Sequence, residues 1–219
     1  MATNRYVCRH CAAVHEFDSR RKRIICPYCD RDISWNSLIA PTVVSGTLYT
    51  GLSCIIGEKL VIPEGAKYIE WKANGTFSYS TMSEIVFPST LLSIPSSCFS
   101  HCRSLKKLVI PGNVKQIGPS AFSNCENLEE VVLSEGVEEI GAFAFFECKN
   151  LKRVTLPSTL KTIGGDAFTV LSYHSSPLRM VALPENVSDI GDDAFKWESV
   201  RLSAKAGSTT ERCLKKMKK

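Results

Sequence analysis

Apolar residues in the middle of the chain recur at an interval of 23: the phrase "IGPSAFSNCENL" at residues 117–128 is written again, nearly unchanged, as "IGAFAFFECKNL" at 140–151. So short an interval predicts a stack of coils, since a duplicated domain needs far more chain. Ile94, Ile117 and Ile140 keep the interval, as do Phe99, Phe122 and Phe145, then Cys102, Cys125 and Cys148, then Leu105, Leu128 and Leu151. The frame runs on to Ile163 and Phe168 and, after a four-residue insertion, to Ile190 and Phe195; backwards, Met82 holds the leucine position. Within one unit, residues 105–127, "LKKLVIP" alternates as a strand does, with Leu105, Leu108 and Ile110 inward. "NVKQIG" then turns the chain, and "PSAFSNC" reads as a short helical piece that carries Phe122 into the core. No single unit can bury these side chains, so burial depends on stacking.

About six such units span residues 57–197. A stack exposes its core at both ends and needs caps. Residues 44–56 read as an extended N-terminal cap, and residues 198–219 predict a last strand and a capping helix. Gly207, Ser208 and Thr209 are helix-start residues, and the lysines beyond them suit the negative end of the helix dipole.

If equivalent positions stack, residues 23 apart are lateral neighbours and the charges read in columns. Lys106, Glu129 and Lys152 form one, Lys107, Glu130 and Arg153 a second, and Lys115, Glu138 and Lys161 a third; each runs plus, minus, plus. Opposite charges on adjacent strands attract, though exposed pairs contribute only about 0–1 kcal/mol each, so their larger value is in fixing register. Glu129, Glu130, Glu138 and Glu139 are therefore expected to have nearer partners than one another, which argues against a carboxylate metal or acid–base site. On the outward face of the strands Val61, Val86, Val109, Val132, Thr155 and Ala182 make an apolar column beside Lys59, Glu84, Lys107, Glu130, Arg153 and Met180. Two readings of this stripe stand open: an interaction surface rimmed by charge, or valine serving only as a good strand former. The repeated thiols are expected to be buried and inert, because equivalent side chains in a parallel stack point the same way and do not meet. The insertion at Thr169–Pro177, with Tyr173 and His174, reads equally as a specificity loop or a tolerated one. His101 is expected to be exposed.

The other cysteines obey a different rule. Cys8 and Cys11, then Cys26 and Cys29, form two C-x2-C knuckles separated by fourteen residues. Each tight turn offers a pair of sulfurs, and two such turns close a tetrahedron around one zinc ion. A redox C-x2-C needs one motif beside a βαβ unit, and that pattern is absent. "RYVC" and "RRKRIIC" read as the strands that carry the knuckles. Over residues 1–35 the chain resembles the zinc ribbons, which implies a structural Zn2+ with a closed shell and no open position for chemistry. "SRRKR" at Ser19–Arg23 reads either as a phosphate contact or as a solvated loop. Residues 36–43 read as a linker.

The repeat phrase "LxxLxIPxxVxxIGxxAFxxCxxL" resembles the BspA-type leucine-rich repeat over residues 57–197. That resemblance implies a curved right-handed solenoid with a parallel sheet on its concave face, a role in binding other macromolecules, and no catalytic residues. The expected fold is thus a small zinc ribbon followed by a leucine-rich-repeat-like solenoid with short helical turns. The expected function is a non-catalytic protein-interaction module that uses Val86, Lys107, Val109, Glu130, Val132, Arg153, Thr155 and Met180.

Composition supports this outline and narrows the alternatives. With 219 residues and 44% apolar content the chain can bury a real core. The net charge of +5 lies at the ends: residues 1–35 hold 7 basic against 4 acidic residues, residues 198–219 hold 7 against 2, and the stretch between holds 13 against 16. A mildly acidic middle argues against a nucleic-acid groove there, and leaves the ribbon and the basic tail as the alternative, nucleic-acid-associated reading. The sequence carries no membrane-length apolar run, no apolar signal core at "MATNRYVCRHC", no phosphate-binding loop, no HExxH and no GxSxG. The expectations are a cytoplasmic protein, no membrane partner, no small-molecule substrate and no enzyme.

Overall fold

The computed structural model describes residues 59–70, 75–171, 177–195 and 200–217, and before them the backbone of seven short strands. Two of the seven-strand group pair as an antiparallel hairpin, Thr3–Val7 with Val14–Asp18, and two more as a second, Ile24–Ile25 with Asp32–Ile33. Thr42–Val44 pairs antiparallel with Thr47–Tyr49, which lies parallel to Tyr68–Ile69 of the first coil, and Ile55–Ile56 pairs with Lys59–Val61. The sheet therefore extends to Thr42, into the stretch read as linker.

From Lys59 onward the chain winds in coils with three hydrogen-bonded sides. The first side is the predicted sheet of longer strands: Lys59–Val61, Glu84–Val86, Lys107–Ile110, Glu130–Leu133, Arg153–Thr155, Met180–Ala182 and Arg201–Ser203. All pairings among them are parallel, and the burial of Lys107–Ile110 alternates outward and inward as the sequence pattern requires. Among the described residues the ladder falls into three sets, and one of its two interruptions, between Arg153–Thr155 and Met180–Ala182, coincides with the insertion.

The second side is a ladder that the alternation did not announce. Two-residue strands at Ser93–Ile94, Gln116–Ile117, Glu139–Ile140, Thr162–Ile163 and Asp189–Ile190 pair in parallel, so "NVKQIG" is a strand and not only a turn. The isoleucine of each points into the core.

The third side corrects the expected helical pieces. "PSAFSNC" and its equivalents form consecutive turns, and no α-helix occurs there among the described residues. Alternate N–H groups of one coil donate to carbonyls of the next: Ser120 to Ala142, Phe122 to Ala144 and Asn124 to Phe146, at 2.9, 2.8 and 2.7 Å. An α-helical turn would spend those donors within its own coil. Here Ser120 and Asn124 take φ of 54° and 58°, and Phe143 and Glu147 repeat that left-handed geometry at 58° and 57°. The strain is held by the inter-coil bonds, since a buried main-chain N–H left unpaired costs more.

One apolar core runs through the stack. Leu105, Leu128 and Leu151, Ile117, Ile140 and Ile163, and Phe99, Phe122, Phe145 and Phe168 are all buried. The rings of Phe77, Phe99, Phe122, Phe145, Phe168 and Phe195 stack in one file with centroids 5.0–5.5 Å apart. Cys102, Cys125 and Cys148 are free and buried, and their thiols donate to the carbonyls of Phe77, Phe99 and Phe122 at 3.4, 3.3 and 3.3 Å. Burial pushes the Cys148 thiol up to about 12, which keeps it protonated and unreactive. The thiol column stops there: Leu171, at the next equivalent position, is 62% exposed.

At the far end the helix Thr209–Met217 closes the stack. Ser208 Oγ accepts from the Glu211 N–H at 3.1 Å, as an N-cap should, and the buried Thr210 hydroxyl donates to the Pro184 carbonyl and accepts from the Val187 N–H. Glu211 pairs with Lys215 one turn on, at 2.8 Å. No helix among the described residues is long and apolar enough to cross a membrane.

Candidate functional site

The outward face of the longer strands brings the predicted interaction residues together. Glu130 is in register with Lys107 on one side and Arg153 on the other, and Val132 with Val109 and Thr155. Val86 lies beside Val61, and Met180 beside Arg201. Val109 is 47% and Met180 67% exposed, Lys107, Arg153 and Thr155 are exposed, and Val86, Glu130 and Val132 are half-buried. The result is an apolar column next to a charged one.

The charged columns form ion pairs. Lys107 Nζ lies 3.0 Å and Arg153 Nε 3.6 Å from the Glu130 carboxylate, and Lys59 Nζ lies 2.8 Å from Glu84. Lys152 meets Glu129 at 2.7 Å, while Glu138 sits between Lys161 and Lys115. A fourth column of the same kind, Arg103, Glu126 and Lys149, was equally readable from the 23-residue interval and went unread; its contacts are 3.4 and 3.6 Å. Glu139 takes a neutral partner, the side-chain amide of Gln116 at 2.9 Å. Each of these acids thus has a partner, as expected, and among the described residues no group of three or more His, Cys, Asp or Glu side chains could hold a metal.

The hydrogen bond from Lys152 holds the Glu129 carboxyl below its ordinary value of 4.5, that from Lys107 does so for Glu130, and that from Lys161 for Glu138. The main-chain N–H of Ser158 has the same effect on Glu135. A carboxyl whose folded value is depressed stabilises the fold above its unfolded value, and that stabilisation disappears as pH falls through the folded value. The midpoint of thermal unfolding is therefore expected to drop as pH is lowered below about 4.5, with a shallower drop in Glu129→Gln/Glu130→Gln/Glu138→Gln. Equal slopes in melting curves taken between pH 6 and pH 3 would show that the columns carry no such linkage.

His101 departs from expectation. It is half-buried, its ring stacks on Tyr79 with centroids 4.3 Å apart, and burial followed by the nearby Arg103 lowers its pKa. The cysteines at 8, 11, 26 and 29 and the loop at residues 172–176, with Tyr173 and His174, lie outside the described residues.

A coil of about 23 residues, closed by hydrogen bonds on three sides around a file of Leu, Ile and Phe, defines a leucine-rich-repeat solenoid. The chain belongs to the BspA type leucine rich repeat region family, whose model matches residues 67–201 as 6 copies. Among solved structures it is similar to a leucine-rich repeat protein from Eubacterium ventriosum, with 20% identity, a TM-score of 0.51 and coverage of 87% of this chain and 53% of that one. A T. pallidum leucine rich repeat protein matches at 28% identity and a TM-score of 0.45, covering 66% and 64% of the two chains. A leucine rich cell surface protein from Faecalibacterium prausnitzii matches at 24% identity and a TM-score of 0.45, covering 72% and 50%. The chain thus spans roughly half to two-thirds of the length of these structures. No curated protein matches it.

Proposed function

We propose that this protein is a non-catalytic interaction module that binds a protein partner through the outward face of its longer-strand sheet. Leucine-rich repeat proteins generally mediate protein–protein interaction, and stacked repeats offer extended surfaces suited to it. The observation that carries the reading is the register-aligned column of Val109, Val132 and Thr155 beside Lys107, Glu130 and Arg153, with Val86 in register with Val61 before it and Met180 with Arg201 beyond it. The test is capture from nuclease-treated native lysate with the intact chain and with Val109→Lys/Val132→Lys. A protein retained by the former and lost by the latter supports the sheet. Retention that vanishes with nuclease moves the function to the N-terminal segment and the lysine-rich tail.

The N-terminal segment would hold one zinc ion through Cys8, Cys11, Cys26 and Cys29. The backbone supports this, because Cys8 and Cys11 fall in the segment joining one antiparallel strand pair, and Cys26 and Cys29 in the segment joining the other. Four thiolates leave no open position, so the ion would contribute folding free energy rather than chemistry. Elemental analysis is expected to give one zinc per chain in the wild type and none in Cys26→Ser/Cys29→Ser; a zinc-free wild type purified without chelator contradicts the site. Persistent thiolates of this kind suit a reducing, cytoplasmic setting.

A further inference from the structure

The two ends of the binding sheet differ in charge balance. In the first coils the two lysines of the charged column each have an acid beside them: Lys59 has Glu84 at 2.8 Å and Lys107 has Glu130 at 3.0 Å. Beyond Arg153 the alternation ends. Met180 occupies the next place in the charged column and Arg201 the one after, in register with it, while Arg179 directly precedes Met180 in sequence. Among the described residues no carboxylate lies within ion-pair distance of Arg179 or Arg201, and Arg153 shares Glu130 with Lys107 through a long contact of 3.6 Å. Both unpaired arginines are exposed, and Met180 between them is 67% exposed. An exposed thioether with Arg201 in register beside it and Arg179 next to it in sequence combines an adaptable apolar contact with donors shaped to grip carboxylates in pairs.

From this charge balance we infer that the Met180 end of the sheet docks an acidic peptide segment of the partner. One apolar side chain would lie on Met180, with flanking carboxylates on Arg153, Arg179 and Arg201. The inference rests on the reading that this sheet face binds protein. A polynucleotide fits less well: the outward residues Val109, Val132, Thr155 and Ala182 offer no aromatic platform for bases.

The test is fluorescence anisotropy on the full chain with three labelled probes: a glutamate decapeptide with one central leucine, the same peptide with alanine in its place, and a thymidine oligonucleotide of equal charge. The leucine peptide is expected to bind best, with affinity at least tenfold lower in Arg179→Glu/Arg201→Glu and largely kept in Arg179→Lys/Arg201→Lys, thermal midpoints confirming that both variants fold. Absence of binding by the leucine peptide overturns the assignment. So does equal or tighter binding of the oligonucleotide, or an affinity unchanged by charge reversal. Partner capture lost in Val109→Lys/Val132→Lys but kept in Arg179→Glu/Arg201→Glu overturns the acidic docking site alone; capture kept in both overturns the sheet reading as well.

Discussion

Replacing Phe122 by alanine is expected to lower the free energy of unfolding by about 3–5 kcal/mol, the usual range for removing a buried phenylalanine. The ring is fully buried in the middle of the file, 5.1 Å from Phe99 and 5.5 Å from Phe145, with interplanar angles of 14° and 4°. Truncation removes both ring contacts, each worth about 0.5–1.5 kcal/mol beyond area burial. It also leaves a cavity that cannot easily collapse, because the coils on either side are fixed by inter-coil hydrogen bonds on three sides. In a stack whose stability is a sum over neighbouring interfaces, one such hole weakens two of them. Among the described residues Phe77 begins the file and stacks on Phe99 alone, so Phe77→Ala should cost less. Denaturant titration decides it: a loss under about 1 kcal/mol for Phe122→Ala would show that ring stacking does not organise the core.

A second large effect is expected from adding a single methyl group. A Cβ on Gly141 would lie 2.6 Å from the Pro119 nitrogen, 2.8 Å from the Gly118 carbonyl carbon and 2.9 Å from the Ile117 oxygen. All three are main-chain atoms of the preceding coil, so no side-chain rotation relieves the clash. Gly118, Gly164 and Gly191 are crowded by the preceding coil's backbone in the same way, which explains why the glycine recurs with the isoleucine. Ordinarily Gly→Ala stabilises by about 0.4–1 kcal/mol through the unfolded chain, so the sign of the change is diagnostic. Here overpacking should dominate, with a loss of about 3 kcal/mol or more as the coils are pushed apart. Gly141→Ala that melts at or above the wild-type temperature would mean that the short-strand side yields freely.

Much of this architecture could be read from the chain because a stack repeats its demands. The interval of 23 located the Leu, Ile and Phe files, the outward valine column and three charge columns, all from side-chain periodicity. What escaped the reading was main-chain chemistry. Strands of two residues, such as Gln116–Ile117, are too short to show alternation, and their partner lies a whole coil away. "PSAFSNC" lacks the internal Gly that would announce left-handed geometry; Ser120 and Asn124 adopt it because the next coil accepts their N–H groups, and even Phe143 does so. The bare arginines escaped because the insertion shifts the frame between Arg153 and Met180, and only the pairing of Met180 with Arg201 shows that the alternation has ended. Nothing in local sequence distinguishes Arg179 and Arg201 from ordinary solvated charges.

The most direct test of the account is an affinity titration of the captured protein partner against wild type, Val109→Lys/Val132→Lys and Gln116→Lys/Thr162→Lys. The last variant adds the same charge on the short-strand side, where both new lysines would flank Glu139. The account predicts at least a tenfold loss for the valine pair, little change for the control, and closely similar thermal midpoints for all three. Equal affinity in all three proteins would place the binding surface elsewhere and contradict the assignment of the longer-strand sheet.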